Sequence, residues 1–259
     1  MEDITTHPIL EIPKRKKILF KFDGKELMGF EGMVISSALF LNKIKVFGHH
    51  VKDESPQGIF CSNGQCSQCN VIVNRIPVKA CMTPLKEEMV IESCNGLPEL
   101  PAEDVALNVG NAEITETEVL IIGAGPAGLS AAKVLGEKTV KVILVDDKQQ
   151  MGGKLVLQTH KFFGSQEDVY AGKRGIEIAE ILGKIVNSLA NVKVWLNSIC
   201  LAVFSDGFVG ILKDNTEYIL VKPKYLLIAS GAREKMLIFP GNTLPGVYGA
   251  GAFQTLVNR

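Results

Sequence analysis

The chain has 259 residues, of which 46% are hydrophobic and 22% charged, enough apolar material for a sizeable core and too much for a disordered or fibrous chain. Lysine plus arginine number 28 and aspartate plus glutamate 28, so the net charge is zero and the basic surplus of a nucleic-acid binder is missing. The opening MEDITTHPILEIPKRKK has no apolar core of the kind a signal peptide needs, and no run approaches the ~18 apolar residues of a membrane helix. A soluble, cytoplasmic protein with no membrane span and no nucleic-acid partner is expected.

Residues 16–30 (KKILFKFDGKELMGF) predict a hairpin, two strand-like runs broken by the turn pair Asp23-Gly24. Residues 33–42 carry apolar groups at Val34, Ile35, Leu39 and Leu41, which fits a short helix. Beyond a run of cysteines, VIVNRIPV predicts a second strand pair around an Asn-Arg turn. These elements predict a compact α+β domain over residues 13–97.

Six cysteines stand at positions 61, 66, 69, 81, 94 and 200, and the first four fall within 21 residues. A secreted disulfide scaffold is short and evenly stapled, and this chain is neither, so clustered thiols point to metal. Cys61-x4-Cys66-x2-Cys69 followed by Cys81 has the spacing of a plant-type [2Fe–2S] centre. Three thiolates on one loop wrap the irons and the fourth arrives from the next strand pair. Gly64, Ser62 and Ser67 let the backbone fold tightly and aim amides at sulfur. Zinc competes for four thiolates, but zinc sites usually come as two separated C-x2-C pairs. Unligated buried thiols are the plainer alternative. Cys94 and Cys200 have no such partners and read as small core residues. His49 and His50 read as polar groups of a loop, since all four thiol positions are already filled.

Residues 98–116 hold two prolines, five acidic residues and no sustained periodicity, and read as a surface linker. From Thr117 the run TEVLIIGAGPAGLSAAKVLGEKTVKVILVDD is strand, glycine turn, helix and strand, one βαβ unit. In Gly123-Ala124-Gly125-Pro126-Ala127-Gly128 each glycine has a separate task. Gly123 makes the tight turn, Gly125 lets backbone approach a pyrophosphate, and Gly128 brings helix and strand together. The helix opening at Pro126 and Ala127 offers its amides and positive dipole end to phosphate. Asp146 closes the strand KVILVD and is placed to accept from a ribose hydroxyl, while Asp147 faces the other way. A glycine turn of purely structural use is the alternative. Residues 174–190 predict an amphipathic helix, with Ile178, Ile181, Leu182, Ile185, Val186 and Leu189 on one stripe. VKVWLNS, CLAVF, FVGIL, EYILV and YLLIAS then predict a β-meander with turns at Ser205-Asp206-Gly207, Asp214-Asn215 and Lys222-Pro223.

Residues 117–259 resemble the flavoprotein superfamily with two dinucleotide domains, through GAGPAG with Asp146, the Gly152-Gly153 pair, the β-meander and LLIASGARE at 226–234. That last segment is similar to the superfamily's A-T-G element, with Ser230 in the threonine place and Gly231 after it. The resemblance implies FAD, with the Gly152-Gly153 segment approaching the flavin and the Ser230-Gly231 turn beside it. Both modules together, with GIFCSNGQCSQC, ACMTP and FPGNTLPGVYGAGAFQTLVNR, resemble the α-subunit family of heteromeric amine and imino-acid oxidoreductases. That family includes sarcosine oxidase α, hydrogen cyanide synthase, and opine, proline and hydroxyproline dehydrogenase subunits. Its members continue into a second dinucleotide subdomain and return to complete the FAD site, whereas this sequence stops at Arg259. A fragment, or a further polypeptide supplying the rest, is therefore expected.

The resemblance implies an α+β ferredoxin-like [2Fe–2S] domain followed by an α/β Rossmann-like FAD domain with an inserted β-meander. It implies an FAD-dependent oxidoreductase that passes electrons between FAD and a [2Fe–2S] cluster while a small amine or imino acid is oxidised. Further flavoprotein subunits, an electron acceptor and a small-molecule substrate are the implied partners. The sequence offers no catalytic base, nucleophile pair or substrate pocket. Two other readings stay open: an NAD(P)H-dependent FAD reductase lacking its second nucleotide domain, and a non-catalytic cofactor-binding assembly subunit.

Overall fold

The fold is that of a computed structural model, which describes residues 6–9, 14–98, 110, 112–214 and 216–258. Two compact units emerge, Met1–Ala106 with Arg233–Arg259, and Leu107–Ala232.

The first unit begins with the antiparallel pair β1 (Lys17–Phe22) and β2 (Lys25–Phe30). Asp23 and Gly24 between them take φ of 48° and 75°, the two left-handed residues that a two-residue hairpin turn requires. Strand β1 alternates strictly, so Ile18, Phe20 and Phe22 all enter the core while the lysines face water. Helix α1 (Ile35–Leu41) lays Ile35, Ala38 and Leu39 on the same core. The short strands β3 (Gly48–His49) and β4 (Pro56–Gln57) follow, then β5 (Asn70–Val73), β6 (Ile76–Lys79) and β7 (Val90–Asn95). The sheet runs β2-β1-β7-β3-β4, with β5 paired to both β7 and β6. Phe20, Phe47, Leu39, Ile35 and Ile91 are fully buried, each worth about 1.5–3 kcal/mol of transfer free energy. Asn74 and Arg75 form the left-handed β5–β6 turn, at φ of 51° and 68°.

The second unit opens with β8 (Glu113–Ile122), α2 (Pro126–Glu137) and β9 (Val142–Val145). After a 3₁₀ turn over Gly153–Leu157 come α3 (Gln166–Val169), α4 (Gly175–Ser188), β10 (Val192–Trp195), β11 (Ile199–Val203), β12 (Val209–Lys213) and β13 (Glu217–Ile228). The sheet order is β10-β9-β8-β13-β12-β11, parallel from β10 to β13 and antiparallel across β11, β12 and β13. Strand β9 is buried along its whole length, as a central parallel strand covered on both faces must be. Val119, Ile121 and Leu144 pack one face against Leu129 of α2 and Leu182 and Val186 of α4. Leu120, Ile143 and Val145 on the other face join Val209, Ile211, Ile219 and Val221. Helix α5 (Ala250–Asn258) returns to the first unit, where Tyr248 and Leu256 pack on its core.

Three details depart from the pattern read in the sequence. VKVWLNS is not part of the meander, because β10 joins the parallel sheet beside β9. EYILV and YLLIAS are one strand, and Lys222-Pro223 lies inside it without a turn. Strand β12 pairs with β13 only as far as Val221, while Pro223 stays in register with Thr117 of β8. Of the linker span 98–116, residues 99–109 and 111 lie outside the described residues, and Glu113–Glu116 already belong to β8.

Candidate functional site

Two sites follow from this scaffold, one in each unit. The first is the loop joining β4 to β5. Its backbone turns through left-handed residues at Ser62, Gly64 and Ser67, with φ of 55°, 81° and 62°. A side chain on Gly64 would strike the Met82 side chain at 2.9 Å, so the loop closes tightly over the segment after β6. The Ala80 amide donates to the Cys69 carbonyl at 3.0 Å, and Lys79 Nζ donates to the Gly64 carbonyl at 2.7 Å. These bonds draw Cys81 up to the loop. The fourth cysteine therefore reaches the other three because β6 ends two residues before it.

The four thiols interact pairwise, Cys61 with Cys66 and with Cys81, and Cys81 with Cys69. Thiols of Cys66 and Cys81 donate to Cys61 and hold it far below the ordinary thiol range, helped by the amides of Asn63 and Gln65. The Gln65 amide lies 3.3 Å from the Cys61 sulfur. Cys69 is lowered in the same way by Cys81, while Cys66 and Cys81, as donors, are pushed up. Amides of Gln68 and Cys81 serve the sulfurs of Cys66 and Cys69. Cys69 and Cys81 are buried and the other two partly so. Among the described residues, no three His, Cys, Asp or Glu side chains gather round the position of one ion. Four thiols brought together with amide donors to their sulfurs suit a two-iron cluster, whose ligands divide between two metals.

Cys94 is buried and Cys200 partly buried, and burial pushes both thiols up. Neither belongs to the group of four. His49 pairs with Asn95 at 3.0 Å and His50 with Asp53 at 2.8 Å, as loop polar groups do.

The second site lies at the C-terminal ends of β8, β9 and β13. The Gly123 amide donates to the Val145 carbonyl at 2.7 Å, and the Ala229 amide to the Ile122 carbonyl at 2.7 Å. At Gly123, with φ of 107°, a Cβ would run into the Ala229 carbonyl and lie 3.1 Å from Ser230 Cα. At Gly128 it would run into the Gly123 carbonyl and lie 3.4 Å from Ile121 of β8. Gly125 differs from both, because a Cβ there meets nothing nearer than Gly153 Cα at 4.0 Å. Its face opens into space that a side chain would fill. Gly125 also caps α2 with no side-chain partner, and Pro126 occupies the first turn, so the helix dipole and opening amides face that space.

Asp146 borders the same loop. Its Oδ2 accepts from the Ala124 amide at 2.6 Å and its Oδ1 from the Lys148 amide at 2.9 Å. Each carboxylate oxygen has two lone pairs, which leaves capacity for a ribose hydroxyl. Asp147 pairs instead with Lys148 at 2.6 Å. The Gly152 amide donates to the Ala124 carbonyl at 2.8 Å, and a Cβ on Gly153 would approach Gly125 Cα to 2.8 Å. Gly123, Gly125, Gly128, Asp146, Gly152, Gly153 and Ser230 thus lie about one loop, with Ser230 exposed and the next residue, Gly231, left-handed at φ 70°. The Lys79 contact and the buried hydroxyl of Ser62 carry no signal in the sequence. A lysine two residues before a cysteine is unremarkable until the strand pair is folded.

Both halves of the chain match known families. Residues 15–96 match the family described as 2Fe-2S iron-sulfur cluster binding domain, and residues 117–256 match pyridine nucleotide-disulphide oxidoreductase. The chain is 25% identical to sarcosine oxidase subunit alpha of Rhizobium meliloti (strain 1021), covering 96% of this chain and 31% of that protein. It is 32% identical to hydrogen cyanide synthase subunit HcnB of Pseudomonas protegens over 52% of this chain and 29% of that one. The crystal structure of L-proline dehydrogenase from P. horikoshii aligns with a TM-score of 0.76 and 25% identity, over 98% of this chain and 49% of that one. The chain spans about a third of the length of the curated relatives it matches.

Proposed function

The chain belongs to the pyridine nucleotide-disulphide oxidoreductase family, as an FAD-dependent oxidoreductase module joined to a 2Fe–2S cluster-binding domain, and on that basis we propose that it carries electrons during the oxidation of a small amine or imino acid. The carrying observation is that four interacting thiols and an open glycine cradle occur in one chain, whose fold aligns with L-proline dehydrogenase over 98% of this chain and 49% of that one. Flavin exchanges one or two electrons and an iron–sulfur cluster one, so the pair links a two-electron donor to a one-electron acceptor.

In this reading Cys61, Cys66, Cys69 and Cys81 hold the cluster, and the amides of Asn63, Gln65 and Gln68 stabilise charge on its thiolates. Gly125 and the opening amides of α2 bind the pyrophosphate of FAD, and Asp146 holds the adenosine ribose. Gly152, Gly153, Ser230 and Gly231 close the cradle on the flavin side. The FAD-binding domain takes residues 117–259, with 13–97 as the cluster domain and 98–116 between them. Further flavoprotein subunits bring the amine, since relatives such as sarcosine oxidase alpha are named as subunits. A cytoplasmic location goes with this partnership. Among the described residues no helix is long and apolar enough to cross a membrane.

The test is to express the chain with its neighbouring subunits, purify the complex anaerobically, and offer a panel of secondary amines and imino acids. Bleaching of the flavin band followed by appearance of a reduced-cluster EPR signal is expected. Bleaching by NADPH or NADH and by none of the amines would favour a pyridine-nucleotide reductase instead.

A further inference from the structure

Ser62 follows the first cysteine of the loop, is only 7% exposed, and its Oγ is buried with no hydrogen-bond partner. Burying a hydroxyl without a partner forfeits its hydration with nothing in return. Its backbone is left-handed at φ 55°, a conformation that glycine takes freely and serine does not. The loop therefore carries two costs at one residue, and glycine would avoid both. Asn63 Oδ1 beside it is likewise buried and unpartnered, but a carbonyl oxygen only accepts. The Ser62 hydroxyl can donate. Backbone amides already serve the sulfurs of Cys61, Cys66 and Cys69, so the loop interior is a place where donors meet sulfur.

We propose that the Ser62 hydroxyl donates a hydrogen bond to a sulfur of the cluster held by the four cysteines, and thereby raises the cluster's reduction potential. The inference rests on the iron–sulfur reading of the loop. Its physical basis is charge. One-electron reduction places additional negative charge on the cluster sulfurs, and a hydrogen bond to a more negative acceptor is stronger. The hydroxyl thus stabilises the reduced form more than the oxidised one, and potential rises with it. Ser62 is a positioning and tuning residue and touches no substrate.

The experiment is an EPR-monitored redox titration of the purified wild-type chain, Ser62→Ala and Ser62→Gly, after iron and acid-labile sulfide analysis of each. Alanine keeps the left-handed backbone cost and glycine removes it, but both lose the hydroxyl. Both variants are expected to retain the cluster and to lower the midpoint potential together. The expected shift is about a tenfold change in the ratio of reduced to oxidised cluster at fixed potential, ~59 mV for one electron. Iron–sulfur stretching bands in resonance Raman spectra are expected to shift in D2O less in the variants than in wild type. An unchanged potential in both variants overturns the proposal, and so does a fall in alanine that glycine reverses, which would assign the effect to backbone strain. Loss of the cluster in both variants also overturns it, by making the hydroxyl an assembly group. Wild type without acid-labile sulfide would instead remove the iron–sulfur reading itself.

Discussion

Lys79 Nζ donates to the Gly64 carbonyl at 2.7 Å, tying the end of β6 to the loop that holds three of the four cysteines. Lys79 is exposed, and its bond therefore weighs as a surface hydrogen bond, about 0.5–1.5 kcal/mol. Lys79→Met is expected to leave the fold intact and to speed cluster loss to a chelator by up to about tenfold, the equivalent of ~1.4 kcal/mol. The decay of visible absorbance in EDTA measures it. A rate equal to wild type would show that the loop is held without this bond.

The three glycines of the loop after β8 are expected to fail in different ways. A Cβ at Gly125 meets no atom closer than 4.0 Å, so Gly125→Ala leaves the melting temperature near wild type while obstructing the pyrophosphate space. Gly128→Ala forces a methyl into the Gly123 carbonyl and is expected to destabilise the unit by about 1–3 kcal/mol, as overpacking does. Calorimetry alongside FAD titration separates the two. Equal thermal losses in both variants would contradict the open space at Gly125.

Asp146→Asn keeps the shape of the side chain and removes its charge. Asparagine offers a single acceptor oxygen, so one of the Ala124 and Lys148 amides loses its partner, and the ribose contact weakens. FAD affinity is expected to fall about ten- to hundredfold, corresponding to ~1–3 kcal/mol, with little change in circular dichroism. Isothermal titration calorimetry reads this directly, and unaltered affinity would take Asp146 out of the ribose site.

Cys94 and Cys200 supply a pH test. Burial raises both thiols above the ordinary value of 9.0, so the charged thiolate is the disfavoured form in the folded chain. At neutral pH their alkylation by iodoacetamide is expected to be slower than that of a free thiol, and to go on accelerating with pH beyond the point where a free thiol levels off. Any stability that depends on keeping them neutral is present below 9.0 and declines above it. Mass spectrometry of peptides labelled at pH 7 and pH 10 resolves the two sites. Rapid labelling of Cys94 at pH 7 would contradict its burial.

Much of both sites was legible in the sequence because the chemistry is local. Cys61, Cys66 and Cys69 sit on one loop, and GAGPAG sits on one strand–helix turn, so spacing alone places them. The Asp23-Gly24 and Asn74-Arg75 turns were legible for the same reason, since a two-residue hairpin demands left-handed backbone. What depended on distant pairing was not legible. Pro223 signals a turn by its own chemistry, yet it continues β13 in register with Thr117 of β8. Glu113–Glu116 look like linker in composition, but their register against Ile219–Lys222 makes them strand. The packing of Tyr248 and Leu256 on the first unit's core is long-range in the same sense. Ser62 was legible as a small loop residue, whereas its orphaned hydroxyl emerges only when the loop is closed.

The central claim is that one chain combines a [2Fe–2S] cluster on Cys61, Cys66, Cys69 and Cys81 with FAD in the Gly125 cradle. Its most direct test is an anaerobic reductive titration of the FAD-supplemented protein, followed by visible and EPR spectroscopy together. The account predicts uptake of about three electron equivalents per chain, two on flavin and one on the cluster, with a low-temperature EPR signal that each single Cys→Ser change at the four positions abolishes. Full reduction by two equivalents without an EPR signal, or stoichiometric zinc in place of iron and sulfide, would contradict it.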